Sequence, residues 1–591
     1  MLTAGLPTPT LKCYFSVVSA PSTDNPARSS PLLSIENESY KKPSSVFVPH
    51  ETSAERVVVL LIFLGAFAYL CLFRRFVSMD PDEGIILQGA ERILHGQVIY
   101  RDFFSYFTPG SYYLYALLFK FFGSSILVAR TLLAVYGGLF SVFTYLMARR
   151  VCPRGYALFA SYLVSLTCLP WRFLSLHNWD STLWACAAVY AGVRFLESRR
   201  TGWIFAAGSF ASLTFLFEQS RGGGLVFGMG LGFALILWLD RSQVRLGKKQ
   251  WALLATGLLW PFALTFCYFA WQHALPIMVS DWLWPLHHYA GVNSVPYGYQ
   301  KWPGILTQDS LEPATLFGEA VAVLAMSPTL ILPSLPIIAL LLGAYWIVRA
   351  KSQKLEKSKM AYYVFACSCI VGLLLSVLIA RADVLHFVYL IPLLYIVLAW
   401  VTSGADIRSA GRSSFWACVS IAIFLIFTAT GLAFLVSNRS SRVTTQTPRG
   451  AVRISKEDSV LKFTLANVQP GSRILVYPYL PLYYFLTATF NPTRYDYLQP
   501  GMHTSPQRED MIREIRMNHI PVVLFELGFN EKIAGSWPRT PLRFVAGNHV
   551  EDFILAAYQP CKILRSAEGW RILYMVRKGH QCPPKKETVP E

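Results

Sequence analysis

Three carboxylates crowd into four positions at Asp80-Pro81-Asp82-Glu83, shortly after an apolar run that ends at Phe73. Like charges this close are costly unless a cation, a proton or a positively charged partner lies beside them. Asp80 has a plain structural reading as a helix N-cap, with Pro81 at the first helical position and acids in the first turn favouring the helix dipole. That reading explains Asp82 and Glu83 only in part. Ile85-Ile86-Leu87 and Ala90, Ile93 and Leu94 continue as an amphipathic helix suited to a membrane surface, where a carboxylate would face a lipid-borne substrate. One of these acids is therefore a candidate general base. Asp80 and Asp82 are also spaced to share a hard cation, so a divalent metal stays open.

Other polar groups gather between apolar runs. In Arg381-Ala382-Asp383-Val384-Leu385-His386, an arginine at a membrane surface can grip phosphate with its planar fork. The plain alternative is a surface ion pair of Arg381 with Asp383, worth under about 1 kcal/mol, with His386 at the interface. Arg221 follows Glu218-Gln219-Ser220 and precedes three glycines; it is a second candidate cation, and a connecting turn accounts for the glycines equally well. His177-Asn178-Trp179-Asp180 and Trp282-Leu283-Trp284-Pro285-Leu286-His287-His288-Tyr289 offer stacking faces for a sugar or a prenyl chain, against the aromatic belt of any membrane protein. His287-His288 alone is no metal site, because adjacent helical residues diverge. No Gly-rich phosphate loop and no Ser-His-Asp arrangement stands in recognisable context, so a nucleotide sugar is not the expected direct donor.

The elements that must carry these groups follow from composition. A chain of 591 residues with 54% hydrophobic and 15% charged residues is not a set of soluble domains, which carry roughly 25% charged residues. Apolar runs at 57–73, 131–148, 155–170, 181–196, 203–217, 222–239, 251–271, 329–348, 361–379, 387–402 and 415–436 predict a polytopic α-helical membrane protein with about eleven transmembrane helices. The run at 109–119 is too short to span and suits an interfacial or re-entrant segment. The net charge of +19 lies mostly in short connectors, where Lys and Arg set orientation, so nucleic-acid binding is disfavoured.

The connectors after even-numbered runs hold the basic residues from Arg149 to Arg412, while the short loops of opposite parity hold only Arg172, Arg221 and Arg381. Arg74 and Arg75 are the exception, at the outer end of the first run. This asymmetry predicts a cytoplasmic N-terminus and an exported C-terminus, with every candidate residue on the outer face of the cell (inner) membrane. Residues 1–55, rich in Ser, Pro, Thr and Asn, read as a disordered cytoplasmic tail. A transmembrane catalytic domain follows at 56–436, with a large first outer loop at 76–125. Residues 437–591 become mixed polar and apolar, with strand-like runs at 473–477, 521–525 and 570–576 and helix-like stretches near 457–468, 506–518 and 551–557. They predict a small exported (periplasmic or extracellular) α/β domain. Most of the eleven Cys lie in apolar runs without metal-ligand spacing, whereas Cys561 and Cys582 could form a disulfide if their region is exported.

The first outer loop resembles a family. Asp82-Glu83, then Gln88-Gly89-Ala90, Leu94-His95-Gly96-Gln97, Tyr100-Arg101-Asp102-Phe103-Phe104, Thr108-Pro109-Gly110-Ser111-Tyr112-Tyr113 and Phe119-Lys120-Phe121-Phe122-Gly123 look like the first exported loop of GT-C glycosyltransferases. The similar members are the protein O-mannosyltransferase, lipid A aminoarabinose transferase and Rgt-like galacturonosyltransferase group. The resemblance implies transfer of a hexose or pentose from a polyprenyl-phosphate carrier to an acceptor hydroxyl of an envelope lipid, glycan or protein, with inversion. Asp82 matches the acid of the family pair and is the expected base, and Glu83 would orient it, contact the acceptor or help hold a cation. Arg381 with His386 resembles an Arg-x-Asp-x-x-His signature of bacterial relatives, implying donor-phosphate binding, and relatives often place a cation near Arg221. Asp80, Asp102, His177 and Asp180 are candidate substrate contacts. Some branches use a metal and others do not. The main alternative is a secondary transporter or lipid-linked oligosaccharide translocase. It is disfavoured because charges avoid midspan positions and no internal repeat is visible.

Overall fold

The computed structural model describes residues 52–239, 247–289, 293, 295–300, 326–351, 357–403, 413–439, 443–498, 502–529 and 549–584. The expected tail lies, except for its last residues, outside them. Each of the eleven apolar runs is helical. Helix α1 (Ser53–Cys71) is followed by α2 (Pro81–Leu94) and α3 (Gly110–Phe122), which form the first loop. Then come α4 (Ile126–Ala148), α5 (Arg154–Thr167), a 3-10 turn at Leu169–Arg172, α6 (His177–Ser198), α7 (Thr201–Phe217), α8 (Gln219–Leu239), α9 (Lys248–Trp271) and α10 (Leu275–His288). The helical part closes with α11 (Ser334–Lys351), α12 (Lys357–Ala380), the short α13 (Val384–Val388), α14 (Ile391–Ser403) and α15 (Ser413–Arg439).

Among the described residues, seven helices are long and apolar enough to cross a bilayer: Ser53–Cys71, Ile126–Ala148, Gln219–Leu239, Lys248–Trp271, Met326–Arg349, Met360–Ala380 and Phe415–Val436. The other four runs form α5, α6, α7 and α14. Helix α14 is apolar on every side and buried along nearly its whole length, as expected of a helix enclosed by others rather than by lipid. Helices α1, α9 and α15 instead expose Leu61, Leu264 and Leu425. Helices α8 and α12 pass with their backbones touching: a Cβ on Gly372 would run into Gly224 and Gly228. Small residues at such a crossing let helices approach where lipid supplies no hydrophobic drive. Helix α3 is short, as its run predicts, and exposes Leu117, Phe121 and Phe122 at its end.

After α15 the chain forms a hairpin, β1 (Val443–Thr447) with β2 (Gly450–Ile454), then α16 (Ser459–Asn467), β3 (Ile474–Tyr477), α17 (Leu482–Thr487), α18 (Ser505–Met517), β4 (Val522–Leu527), α19 (His549–Ala557), β5 (Tyr558–Arg565) and β6 (Arg571–Arg577). The four-stranded sheet runs β3-β4-β6-β5, with β3 parallel to β4 and the other pairs antiparallel. Cys561 and Cys582 are bonded to each other.

The C-terminal segment does not keep its core to itself. One hydrophobic cluster joins Ile85, Leu87, Tyr112 and Phe119 of the first loop with Tyr484, Phe485 and Leu486 of α17 and Val523 of β4. Buried ion pairs reinforce the contact: Arg92 meets Asp496 at 2.8 Å and Arg449 meets Glu91 at 2.6 Å. The backbone of Arg453 in β2 accepts from Val77 at 2.8 Å and donates to Arg75 at 2.8 Å, so the hairpin forms a single bridge with the segment that enters α2.

Candidate functional site

Helix α2 begins as its sequence dictates: Asp80 caps it by accepting the Asp82 N–H at 3.0 Å, and Pro81 occupies the first turn. A Cβ on Gly84 would meet the backbone of Leu482, so only glycine lets α2 and the start of α17 lie this close. From this helix start the three acids take different roles. Glu83 is 0% exposed and forms a two-pronged ion pair with Arg130 of α4, with Nη2 to Oε2 at 2.5 Å and Nε to Oε1 at 3.0 Å. The Ser175 N–H also donates to Glu83 Oε1, at 2.9 Å. Glu83 is thus fully engaged inside the protein.

Asp82 points the other way, and its side chain remains 42% exposed. Tyr479, just after β3, donates its hydroxyl to Asp82 Oδ1 at 2.8 Å, and Arg172 Nη2 donates to Oδ2 at 2.8 Å. The same Arg172 nitrogen reaches Asp80 Oδ1 at 3.2 Å and Oδ2 at 3.0 Å. Burial pushes the Asp80 carboxyl above its usual range; Arg172 pulls against this and neighbouring Asp82 adds to it. The back of this cluster opens into a cavity of about 330 Å³, lined by Ser78, Asp80, Arg130, Arg172 and aromatic residues that include Phe76 and Trp171.

The motif at 381–386 comes to the same region. Arg172 lies in the field of Asp383 as well as of Asp80 and Asp82, and Tyr289 in that of Arg381, Asp82, Asp383 and Glu218. Asp383 caps α13 by accepting the His386 N–H at 3.0 Å; its Oδ1 also takes His386 Nδ1 at 2.6 Å and its Oδ2 takes Arg381 Nε at 2.5 Å. Burial works to raise the Asp383 carboxyl, but His386 and Arg381 outweigh it and hold the group well below the usual carboxylate range. Arg381 Nη1 further donates to Asn293 Oδ1 at 2.7 Å. The His177 ring packs against Phe107 at a tilt, ring centroids 4.2 Å apart, in the field of Glu218, Asp82, Arg221 and His386.

Three of the expected residues are placed elsewhere or enclosed. Arg221 is 1% exposed and donates to Ser181 Oγ at 2.6 Å, Thr182 Oγ1 at 3.0 Å and Glu218 Oε2 at 3.0 Å, so it ties α8 to α6 from within. Asp180 is buried and accepts from Ser111 Oγ at 2.5 Å. Asp102 closes a loop turn by accepting the Val98 N–H at 2.7 Å and pairing with Arg101. For a metal, Asp80 and Asp82 have Arg172 as their counter-ion, and the described residues contain no group of three His, Cys, Asp or Glu able to hold one. The donor set therefore does not fit a cation site. The residues that sequence reasoning missed are Arg172, Arg130 and Tyr479. Arg172 was visible as one of three basic residues in the loops of minority parity; Tyr479 has no sequence pattern that points to Asp82.

Residues 107–276 match the family described as dolichyl-phosphate-mannose-protein mannosyltransferase. No curated protein matches. Similar solved structures include ArnT from Cupriavidus metallidurans bound to undecaprenyl phosphate, at 12% identity over 88% of this chain and 98% of that one, with a TM-score of 0.47. An Archaeoglobus fulgidus oligosaccharyltransferase in complex with zinc and sulfate is similar at 12% identity over 87% and 72%, TM-score 0.48. AglB of the same organism, in complex with an inhibitory peptide and a dolichol-phosphate, is similar at 12% identity over 90% and 76%, TM-score 0.46. The matched segment, less than a third of the chain, begins inside the first loop and downstream of the Asp82-Glu83 pair, and it is this segment that is similar to that family of mannosyltransferases.

Proposed function

We propose that the chain transfers a sugar from a polyprenyl-phosphate carrier to an acceptor hydroxyl on the outer face of the membrane, with Asp82 as the base. The observation that carries this reading is the division of labour among the three acids: Glu83 is locked to Arg130, Asp80 caps α2, and Asp82, held by donors on both oxygens, is the most exposed of the three. The name of the family matched by residues 107–276 supports a polyprenyl-phosphate donor.

In this reaction the acceptor oxygen attacks the anomeric carbon as the bond to the carrier phosphate breaks. The hydroxyl proton passes to Asp82, and the lipid phosphate departs with the electron pair. Attack opposite the leaving phosphate inverts the anomeric centre. A positioned base contributes about 10²–10⁴-fold to such a step, and cations beside the departing phosphate stabilise the charge that develops there. Arg381, held by Asp383 and Asn293 and accompanied by His386, is the proposed phosphate contact. His177 and the aromatic residues beside it form one wall for the sugar or acceptor. Arg221, Asp180 and Asp102 act in this reading as internal ties.

Asp82→Asn keeps the side-chain volume and removes the base, so it should abolish transfer while the protein still inserts and folds. Near-normal turnover by purified Asp82→Asn would remove Asp82 from the reaction. Asp80→Asn should cost much less, since Asn caps a helix about as well as Asp. The proposed orientation predicts that Ser455→Cys reacts with an impermeant thiol reagent from outside intact cells, and Gly155→Cys only with a permeant one; the opposite labelling would reverse the topology.

A further inference from the structure

We propose that Tyr479 is a positioning residue for the transfer reaction: the segment after Ser437 supplies the phenol that fixes Asp82 in the orientation from which it takes the acceptor proton. This rests on the reading of Asp82 as the base. Asp82 is gripped on both oxygens, by Tyr479 at 2.8 Å on Oδ1 and by Arg172 at 2.8 Å on Oδ2, from two widely separated parts of the chain. Two donors on opposite oxygens stop the carboxylate from turning about its own axis. Each oxygen still keeps a lone-pair direction for a substrate proton.

Tyr479 is itself held from several sides. It follows β3 and precedes the Pro481-Leu482 backbone that lies against Gly84, two residues beyond Asp82. Its ring packs on Tyr497 at 5.7 Å and Phe529 at 6.1 Å. Burial, and then the nearby charge of Asp82, hold the phenol protonated and so able to donate. The segment leading into α2 is gripped from the same side at further points, by the Arg453 backbone at Arg75 and Val77 and by Glu568 Oε1, which accepts the Met79 N–H at 2.6 Å. A tether alone would not require this bond, because Arg92–Asp496 and Arg449–Glu91 already fasten the C-terminal segment to the loop. The Tyr479 hydroxyl adds the orientation of one carboxylate.

The test uses the full chain in lipid nanodiscs. The donor probes are polyprenyl-phosphate-linked mannose, galacturonic acid and aminoarabinose, and the host envelope fraction serves as acceptor. On whichever donor the unaltered chain turns over, Tyr479→Phe should lower kcat by about ten- to a hundredfold, as expected for a misaligned reacting group. The donor KM and the thermal unfolding midpoint should stay unchanged. The groups facing Asp82 are Asp80, Arg172 and Tyr479, with His177, Tyr106, Tyr289 and Tyr389 also in its field. Unchanged kcat, with Asp82→Asn inactive, would overturn the role of Tyr479 alone. Activity in Asp82→Asn would overturn the base reading beneath it. If Tyr479→Phe unfolds, Tyr479→His, which retains a ring donor, should recover both stability and part of kcat; recovery of stability with no recovery of kcat would count against the proposal.

Discussion

A single nitrogen of Arg172 bridges two carboxylates, meeting Asp80 Oδ2 at 3.0 Å and Asp82 Oδ2 at 2.8 Å. The crowding that looked costly along the sequence is answered by a cation from the 3-10 turn between α5 and α6. The arrangement also lends the field of Asp80 and Arg172 to a carboxylate that is otherwise open to solvent. Removing the guanidinium by Arg172→Met should leave Asp80 and Asp82 repelling each other and Asp82 free to rotate. Turnover should fall by about a hundredfold, the scale of a misplacement near 1 Å. Arg172→Lys keeps the charge without the planar fork and should lose less. Transfer rates at saturating donor decide this, and wild-type turnover in Arg172→Met would show that the bridge has no part in holding the base.

Glu83 and Arg130 make a separate prediction, because both are essentially unexposed and paired with each other. Glu83→Gln strands a buried guanidinium, and breaking such a pair by removing one partner costs about 3–5 kcal/mol. The double variant Glu83→Gln with Arg130→Met should regain much of that loss. Denaturation of purified protein measures both. A Glu83→Gln protein as stable as its parent but inactive would move Glu83 from the scaffold into the chemistry.

These two pairs also mark how far the sequence was legible. The apolar runs were readable as helices because hydropathy is a matter of composition, although among the described residues seven of the eleven expected spans are long and apolar enough to cross a bilayer; the strands β3, β4 and β6 were readable because short β-branched runs stood out in a polar segment. The hairpin β1–β2 and strand β5 were not read: Val443–Thr447 is mostly Thr and Gln, and Tyr558–Arg565 carries a Pro and a register shift. The cap at Asp80 was legible because capping is local. The partners of Asp82 were not, since Arg172 and Tyr479 reach it only through tertiary packing. Arg221 and Asp180 read as site residues because a charge in an apolar context looks functional. Their enclosure by Glu218, Ser181 and Thr182, and by Ser111, depends on helix rotations that a sequence does not display.

Arg381 carries the last prediction, that this residue serves the donor rather than the acceptor. It stands where α12 ends, its Nε on Asp383 and its Nη1 on Asn293, so the plane of the fork is fixed before any ligand arrives. Asp383 also takes His386 and so orders a second donor beside the first. A lipid phosphate at this height would meet a cation already oriented, both before transfer and as the freed phosphate leaves. Arg381→Ala should therefore raise the donor KM and lower kcat by about 10²-fold or more, the usual scale for losing a group that stabilises developing charge. Arg381→Lys, with a charge but no fork, should fall between Arg381→Ala and the unaltered chain. Donor saturation curves at fixed acceptor settle the matter: if Arg381→Ala shifts only acceptor dependence, the phosphate contact passes to Arg172, because Arg221 is enclosed by its own partners.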